Sequence, residues 1–157
     1  MVQAVNYNAP GQVVVAGHTS AIGRLVTNAK AVGAKRVLPL PVSVPSHSDL
    51  MLPAAEMLAD RLNEVDVSTT DLPVYHNVDC SIASSADSIK AKLVKQLHAP
   101  VHWVGSVQAI KATGVNTFVE SGPGKVLGGL IKRIDREAVS FSVETPEMMQ
   151  KCAQALT

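Results

Sequence analysis

The stretch Pro41-Val42-Ser43-Val44-Pro45-Ser46-His47-Ser48 divides this chain into two unlike parts. Its prolines bar a regular helix and hold the backbone extended up to His47, so it reads as a structured loop. On the N-terminal side, residues 4–8 and 12–16 read as extended segments joined by Ala9-Pro10-Gly11, where proline presets φ and glycine permits the turn. A helix follows, with Ser20 as its N-cap, Ile22, Leu25, Val26 and Ala29 on one face, and Gly33 at its C-terminal end. Residues 36–40 complete this part as a short apolar strand running into Pro41. The order β-β-α-β is most of a small sandwich of helices on a sheet.

On the C-terminal side, Leu50, Ala54, Met57, Leu58, Leu62 and Val65 recur at spacings of three and four, which predicts a helix. Residues 72–78 read as a strand before a serine-rich loop, and Asp87 as the cap of a helix that buries Ile89, Leu93, Val94 and Leu97 and stops at Pro100. Residues 104–113 make one more helix, closed by Gly114. A strand at 116–120, the turn Ser121-Gly122-Pro123-Gly124, a helix with Val126, Leu127, Leu130, Ile131 and Ile134, and a strand at 138–143 then alternate. In the closing helix Thr145 caps and Pro146 takes the first helical position. Strands alternating with helices predict an α/β layer with parallel strands, and the boundary falls at His47, giving units 1–47 and 48–157.

Composition narrows the function. Of 157 residues, 46% are apolar and 17% charged, the balance of a globular protein with a real core. The formal net charge of +1 supplies no global field toward nucleic acid or an anionic membrane, and 3% aromatic content leaves few platforms for stacking bases. No apolar run approaches the roughly 20 residues that span a bilayer. Cys80 and Cys152 lie far apart and match no metal spacing, and no signal peptide precedes the fold, so a reducing cytoplasm is the expectation.

Three features could carry chemistry. His47, between prolines and a helix start, is where a rigid loop presents an imidazole as a general base; the plainer alternative is a surface or capping histidine. Gly122-Pro123-Gly124-Lys125 follows a strand and opens a helix, a position that favours an anion or a developing oxyanion, or is simply a tight turn. It is no Walker A loop, which would need glycine where Val119 stands and Ser or Thr at Val126, and no dinucleotide fingerprint, which would need glycine at Leu127. His98 and His102 are four apart, but Pro100 between them spoils the helical geometry that would aim both at one metal, and no metal site is expected. The basic groups Lys35-Arg36, Lys125 and Lys132-Arg133 read as solvated faces or phosphate contacts. No serine has glycine at both offsets of a Gly-x-Ser-x-Gly elbow.

Several stretches, in order along nearly the whole chain, resemble the bacterial malonyl-CoA:acyl carrier protein transacylase family. They are Val5-Asn6-Tyr7-Asn8-Ala9-Pro10-Gly11-Gln12-Val13-Val14, Ala34-Lys35-Arg36, Leu38-Pro39-Leu40-Pro41-Val42-Ser43-Val44-Pro45-Ser46-His47, Leu93-Val94-Lys95-Gln96-Leu97 with Pro100-Val101-His102-Trp103, and Gly122-Pro123-Gly124-Lys125-Val126-Leu127. The resemblance implies ping-pong acyl transfer in fatty acid biosynthesis: a serine takes malonyl from coenzyme A, then gives it to the phosphopantetheine thiol of acyl carrier protein. It makes His47 the base and gives the main-chain carbonyl of Gln96 the task of orienting it. Lys35 and Arg36 become candidate contacts for the carrier protein or for phosphate.

It also implies what these residues lack. Family members are about twice this length, and the serine elbow, the oxyanion loop and the arginine that pairs with the malonyl carboxylate belong to the N-terminal part. The expected fold is thus part of an α/β-hydrolase-like acyltransferase domain, residues 48–157, preceded by part of a ferredoxin-like subdomain, residues 1–47. Substrates would be malonyl-CoA and acyl carrier protein, with no cofactor, no nucleic acid, no membrane, and a monomer at full length. This chain alone is expected to be inactive; the alternative is a non-catalytic module that binds acyl carrier protein or coenzyme A, or complements an N-terminal fragment.

Overall fold

A computed structural model describes residues 1–156, in the order β-β-α, a long loop, two helices separated by a short hairpin, and a closing α-β-α-β-α run. Strands β1 (Val2–Ala9) and β2 (Gln12–Gly17) pair antiparallel through the Pro10-Gly11 turn, where Gly11 adopts φ +74°. The register slips between Ala4 and Asn6. There the other edge of β1 is engaged: Asn6 bridges in parallel to Val101, whose N–H donates to the Val5 carbonyl at 2.8 Å and whose carbonyl accepts from Tyr7 N–H at 2.9 Å.

Helix α1 (Thr19–Ala31) packs on β2 and closes at Gly33, φ +97°. His18, not Ser20, holds the N-cap position, because the chain turns into the helix directly from β2. The strand expected at residues 36–40 does not form; the segment is exposed coil. Pro39 and Pro41 bring no N–H to a ladder, and β1 already has β2 on one side and Val101 on the other.

After His47 a 3-10 turn (Asp49–Met51) leads into α2 (Leu52–Asn63), which lies against α3 (Ala86–His98). The strand expected at 72–78 shrinks to β3 (Tyr75–His76), paired with β4 (Ser81–Ile82) in the stretch read as loop. Ser85 rather than Asp87 caps α3, its Oγ accepting Ser88 N–H at 3.2 Å. Helix α4 (Trp103–Ala112) follows Val101 with only the N-cap residue His102 between them.

The last third matches its expectation. Strands β5 (Thr117–Ser121) and β6 (Val139–Val143) are parallel, joined by α5 (Val126–Ile134), and α6 (Pro146–Leu156) closes the chain with Thr145 Oγ1 accepting Met148 N–H at 3.3 Å. Val107, Ile131 and Ala138 form the buried centre, with Trp103, Phe118 and Ile134 packed around it. Valines 119, 126 and 139, on β5, α5 and β6, remain exposed. Among the described residues no helix is long and apolar enough to cross a membrane.

Candidate functional site around His47

The C-terminus of α3 explains where His47 sits. The last carbonyls of a helix have no partner within it and must find one elsewhere. Lys95 settles its own through Ala99 N–H at 2.9 Å. The natural partner of the Gln96 carbonyl would be the N–H four residues on, but that residue is Pro100. The partner of the Leu97 carbonyl would be Val101 N–H, which is committed to β1. Both orphans are satisfied by His47: its backbone N–H donates to Leu97 O at 2.9 Å, and its Nδ1 lies 2.7 Å from Gln96 O.

That second bond fixes the tautomer. A carbonyl oxygen only accepts, so Nδ1 carries a proton, and in the neutral ring the free lone pair is on Nε2, where a general base would use it. Gln96 Nε2 also approaches Nδ1, at 3.4 Å, but as a donor facing a protonated nitrogen it adds no competing bond. To reach both carbonyls His47 takes φ +63°, a left-handed conformation that costs a residue with a Cβ about 1–2 kcal/mol and in which histidine is enriched among non-glycines. His47 thus caps the end of α3 with both its backbone and its ring.

The neighbours hold the loop on both sides. Ser48, 1% exposed, donates from Oγ to Pro45 O at 2.6 Å, and its carbonyl accepts Met51 N–H at 2.9 Å. Asp49 is clasped by Gln3 of β1 through two hydrogen bonds, a partnership 46 residues apart with no sequence signal. On α3, Lys92 pairs with Asp79 and donates to Ser81 Oγ at 2.6 Å, tying the β3–β4 hairpin to the helix. Burial pushes the Asp79 carboxyl up, but the bonds from Lys92 and from Ser81 outweigh it and hold the group below its ordinary value.

The helix N-terminus after Gly122-Pro123-Gly124-Lys125 does hold an anion, and it is the chain's own. Glu120, at the end of β5, accepts Leu127 N–H at 3.0 Å and Gly128 N–H at 2.9 Å. These bonds, Gly128's first, hold its carboxyl below the ordinary value. The turn thus fastens β5 to α5 and leaves no vacant anion seat there. The signal was present as an acidic residue just before a glycine turn and a helix.

Lys35 and Arg36 stand exposed after α1, without an ion pair among the described residues. His102 stacks on Tyr7, with ring centroids 5.3 Å apart and ring planes nearly parallel. Among the described residues no group of three or more His, Cys, Asp and Glu is placed to hold a metal, and both cysteines are free thiols. Two surface hollows of about 250 and 360 Å³, at residues 70–74 with Ile82 and Ile89 and between α2 and α3, are not lined by His47.

No protein-family model matches the chain. Individual proteins do: the malonyl CoA-acyl carrier protein transacylase of Escherichia coli K12 is 48% identical over 149 residues, 95% of this chain and 48% of that protein. Its curated homologues are malonyl CoA-acyl carrier protein transacylases. The crystal structure of acyl-carrier-protein S-malonyltransferase from Burkholderia pseudomallei superposes with TM-score 0.95 at 46% identity, covering 98% of this chain and 50% of that one. A malonyl-transacylase solved in complex with a type II polyketide synthase acyl carrier protein gives TM-score 0.94 at 44% identity, covering 98% and 50%. The chain spans about half the length of the curated relatives it matches, and its mixed α/β architecture is theirs over that half.

Proposed function

We propose that this chain supplies the histidine base and its orienting carbonyl to a malonyl-CoA:acyl carrier protein S-malonyltransferase of fatty acid biosynthesis. The observation that carries the reading is the pair of His47 bonds to the end of α3, which leaves Nε2 free as an acceptor. In the reaction, Nε2 takes the proton of a serine hydroxyl as its oxygen attacks the malonyl thioester. The tetrahedral intermediate expels coenzyme A as the thiol, which leaves with that proton. In the second half, Nε2 takes the proton from the phosphopantetheine thiol, whose sulfur attacks the serine ester, and returns it to the serine. Gln96 O holds Nδ1–H throughout and keeps that bond when the ring is an imidazolium. An exchange of thioester for ester and back needs neither redox nor metal cofactor.

In this reading residues 48–157 form the C-terminal part of an α/β-hydrolase-like subdomain, supported by the parallel β5–α5–β6 unit. Residues 1–47 belong to a ferredoxin-like subdomain, supported by the β1–β2 hairpin with α1 on it. Lys35 and Arg36 face an acidic carrier protein or the phosphates of coenzyme A, in the cytoplasm, and the full-length protein is a monomer. The serine comes from residues outside these 157, so the chain alone is inactive; losing one member of a cooperating catalytic set costs up to roughly a million-fold. Incubation with malonyl-CoA and intact-mass spectrometry tests this: no adduct is expected, and a serine-linked malonyl group would overturn it. Supplied with the remaining half of a relative, the chain should support transfer, and His47→Ala should lower that rate roughly hundred- to ten-thousand-fold.

A second reading, a non-catalytic module, accounts for one observation as well as the first does. The accessible surface is 10423 Å², whereas a folded monomer of 16.5 kDa exposes about 7,500 Å² by size scaling. A non-catalytic module that docks on another polypeptide would carry such excess. Titrating labelled acyl carrier protein separates the two, since saturable binding by the chain alone supports the module.

A further inference from the structure

We infer that Gln3 is the positioning residue for His47, acting through Asp49. Its functional meaning rests on the reading of His47 as base; its structural content does not. The geometry is a closed circuit. The end of α3 binds His47 through the carbonyls of Gln96 and Leu97, and four residues beyond Leu97 the backbone of Val101 is bonded on both sides to β1, at Val5 O and Tyr7 N. On the far side of His47 the chain returns to that same strand: Gln3 Nε2 donates to Asp49 Oδ2 at 2.6 Å and Gln3 Oε1 accepts Asp49 N–H at 2.8 Å. One strand therefore grips both the acceptors of His47 and the segment that carries it.

The second grip is needed because of what lies on either side of His47. Residues 36–44 before it form exposed coil with no ladder to steady it. His47 itself holds a left-handed φ of +63°, a conformation that persists only where surrounding contacts impose it. The Asp49 N–H lies at the start of the 3-10 turn, among the first donors of the run into α2, and the Gln3 amide satisfies it. The carboxylate that would repel a second acceptor is met instead by the donor end of the same amide. Gln3 is thus matched atom for atom to Asp49, and an apolar or acidic side chain at its place on β1 would not be.

The experiment reads His47 directly by nitrogen-15 NMR of the chain itself, without turnover. In the unaltered chain the ring should show a protonated Nδ1 and a bare Nε2, and the His47 amide should be protected from exchange. Gln3→Met keeps the length of the side chain and removes both bonds. It should mix the ring tautomers and speed exchange of the His47 amide by at least about tenfold, the weight of one to two lost hydrogen bonds, while the amides of Val101 and Tyr7 keep their protection. Gln3→Glu should do the same, since it sets two carboxylates face to face. Combined with Asp49→Asn the pairing is restored with donor and acceptor exchanged, and the original tautomer should return. An unchanged His47 ring in Gln3→Met, or no recovery in the double variant, overturns the inference. Loss of protection at Val101 and Tyr7 together with His47 also overturns it, since Gln3 would then hold the strand rather than the loop. A serine-linked malonyl adduct on the chain alone would sink the functional reading and leave these results standing.

Discussion

Two glycines side by side in α5 allow the packing against Glu120 to be weighed. A Cβ on Gly129 would meet nothing within 4 Å, so Gly129→Ala should collect most of the helix-propensity difference between glycine and alanine, about 0.8–1.0 kcal/mol. A Cβ on Gly128 would stand 2.8 Å from Ser140 Oγ on β6 and 3.6 Å from Glu120 Oε2. The first distance is too short for contact, so Ser140 or the start of the helix must move, an overpacking cost of about 1–3 kcal/mol. Both positions lie in the first turn and a half of one helix, so the propensity gain cancels in the comparison and the steric term remains. Gly128→Ala should therefore be less stable than Gly129→Ala by about 1–3 kcal/mol, and by about 2–4 °C in Tm for each kcal/mol. Urea unfolding followed by far-ultraviolet circular dichroism measures it. Equal midpoints for the two variants would show that α5 does not sit against β5 and β6 as described.

Acid should weaken the same junction. Glu120 has its carboxyl held below the ordinary 4.5, so between the folded and unfolded values the unfolded chain binds more protons and stability rises with pH. Its contribution is complete above 4.5 and is lost as pH falls through the lower folded value; in Glu120→Gln that part of the acid loss should vanish from unfolding midpoints measured across the range. Ser85→Ala removes the α3 N-cap and should cost about 1 kcal/mol in chemical denaturation, yet leave the His47 ring spectrum unchanged because the cap lies at the opposite end of the helix. Pro100→Ala supplies the N–H that α3 lacks, and should let the helix run on, claim Gln96 O and release His47 Nδ1; a ring still in its original tautomer would refute the account of that carbonyl.

How much of this was legible follows from the range of each interaction. Helix periodicities and the parallel β5–α5–β6 unit were readable because their signals are local and their partners adjacent in sequence. The strand expected at 36–40 was misread because apolar content signals a strand only when an edge is free to receive it, and β1 has both sides engaged. At α5 the sequence left an anion site and a plain tight turn both open, and the occupant could not be named from the turn alone: Glu120 is close in sequence, and only the path of β5 brings its carboxylate round to Leu127 and Gly128.

His47 lies between these cases. Half of its environment is written in the chain, since Pro100 marks Gln96 as a carbonyl without a partner four residues on. The other half, that the partner is an imidazole 49 residues earlier, depends on the fold. Here the resemblance supplied what local physics could not, and the geometry in turn gives a reason for the pairing. A histidine that caps a helix through its Nδ1–H is already the tautomer whose Nε2 can accept a proton. Under the proposed function, the structural need of α3 for a donor and the chemical need of an acyl transfer for a base would be met by one bond. A variant that repairs the helix by other means should therefore cost the His47 imidazole its orientation.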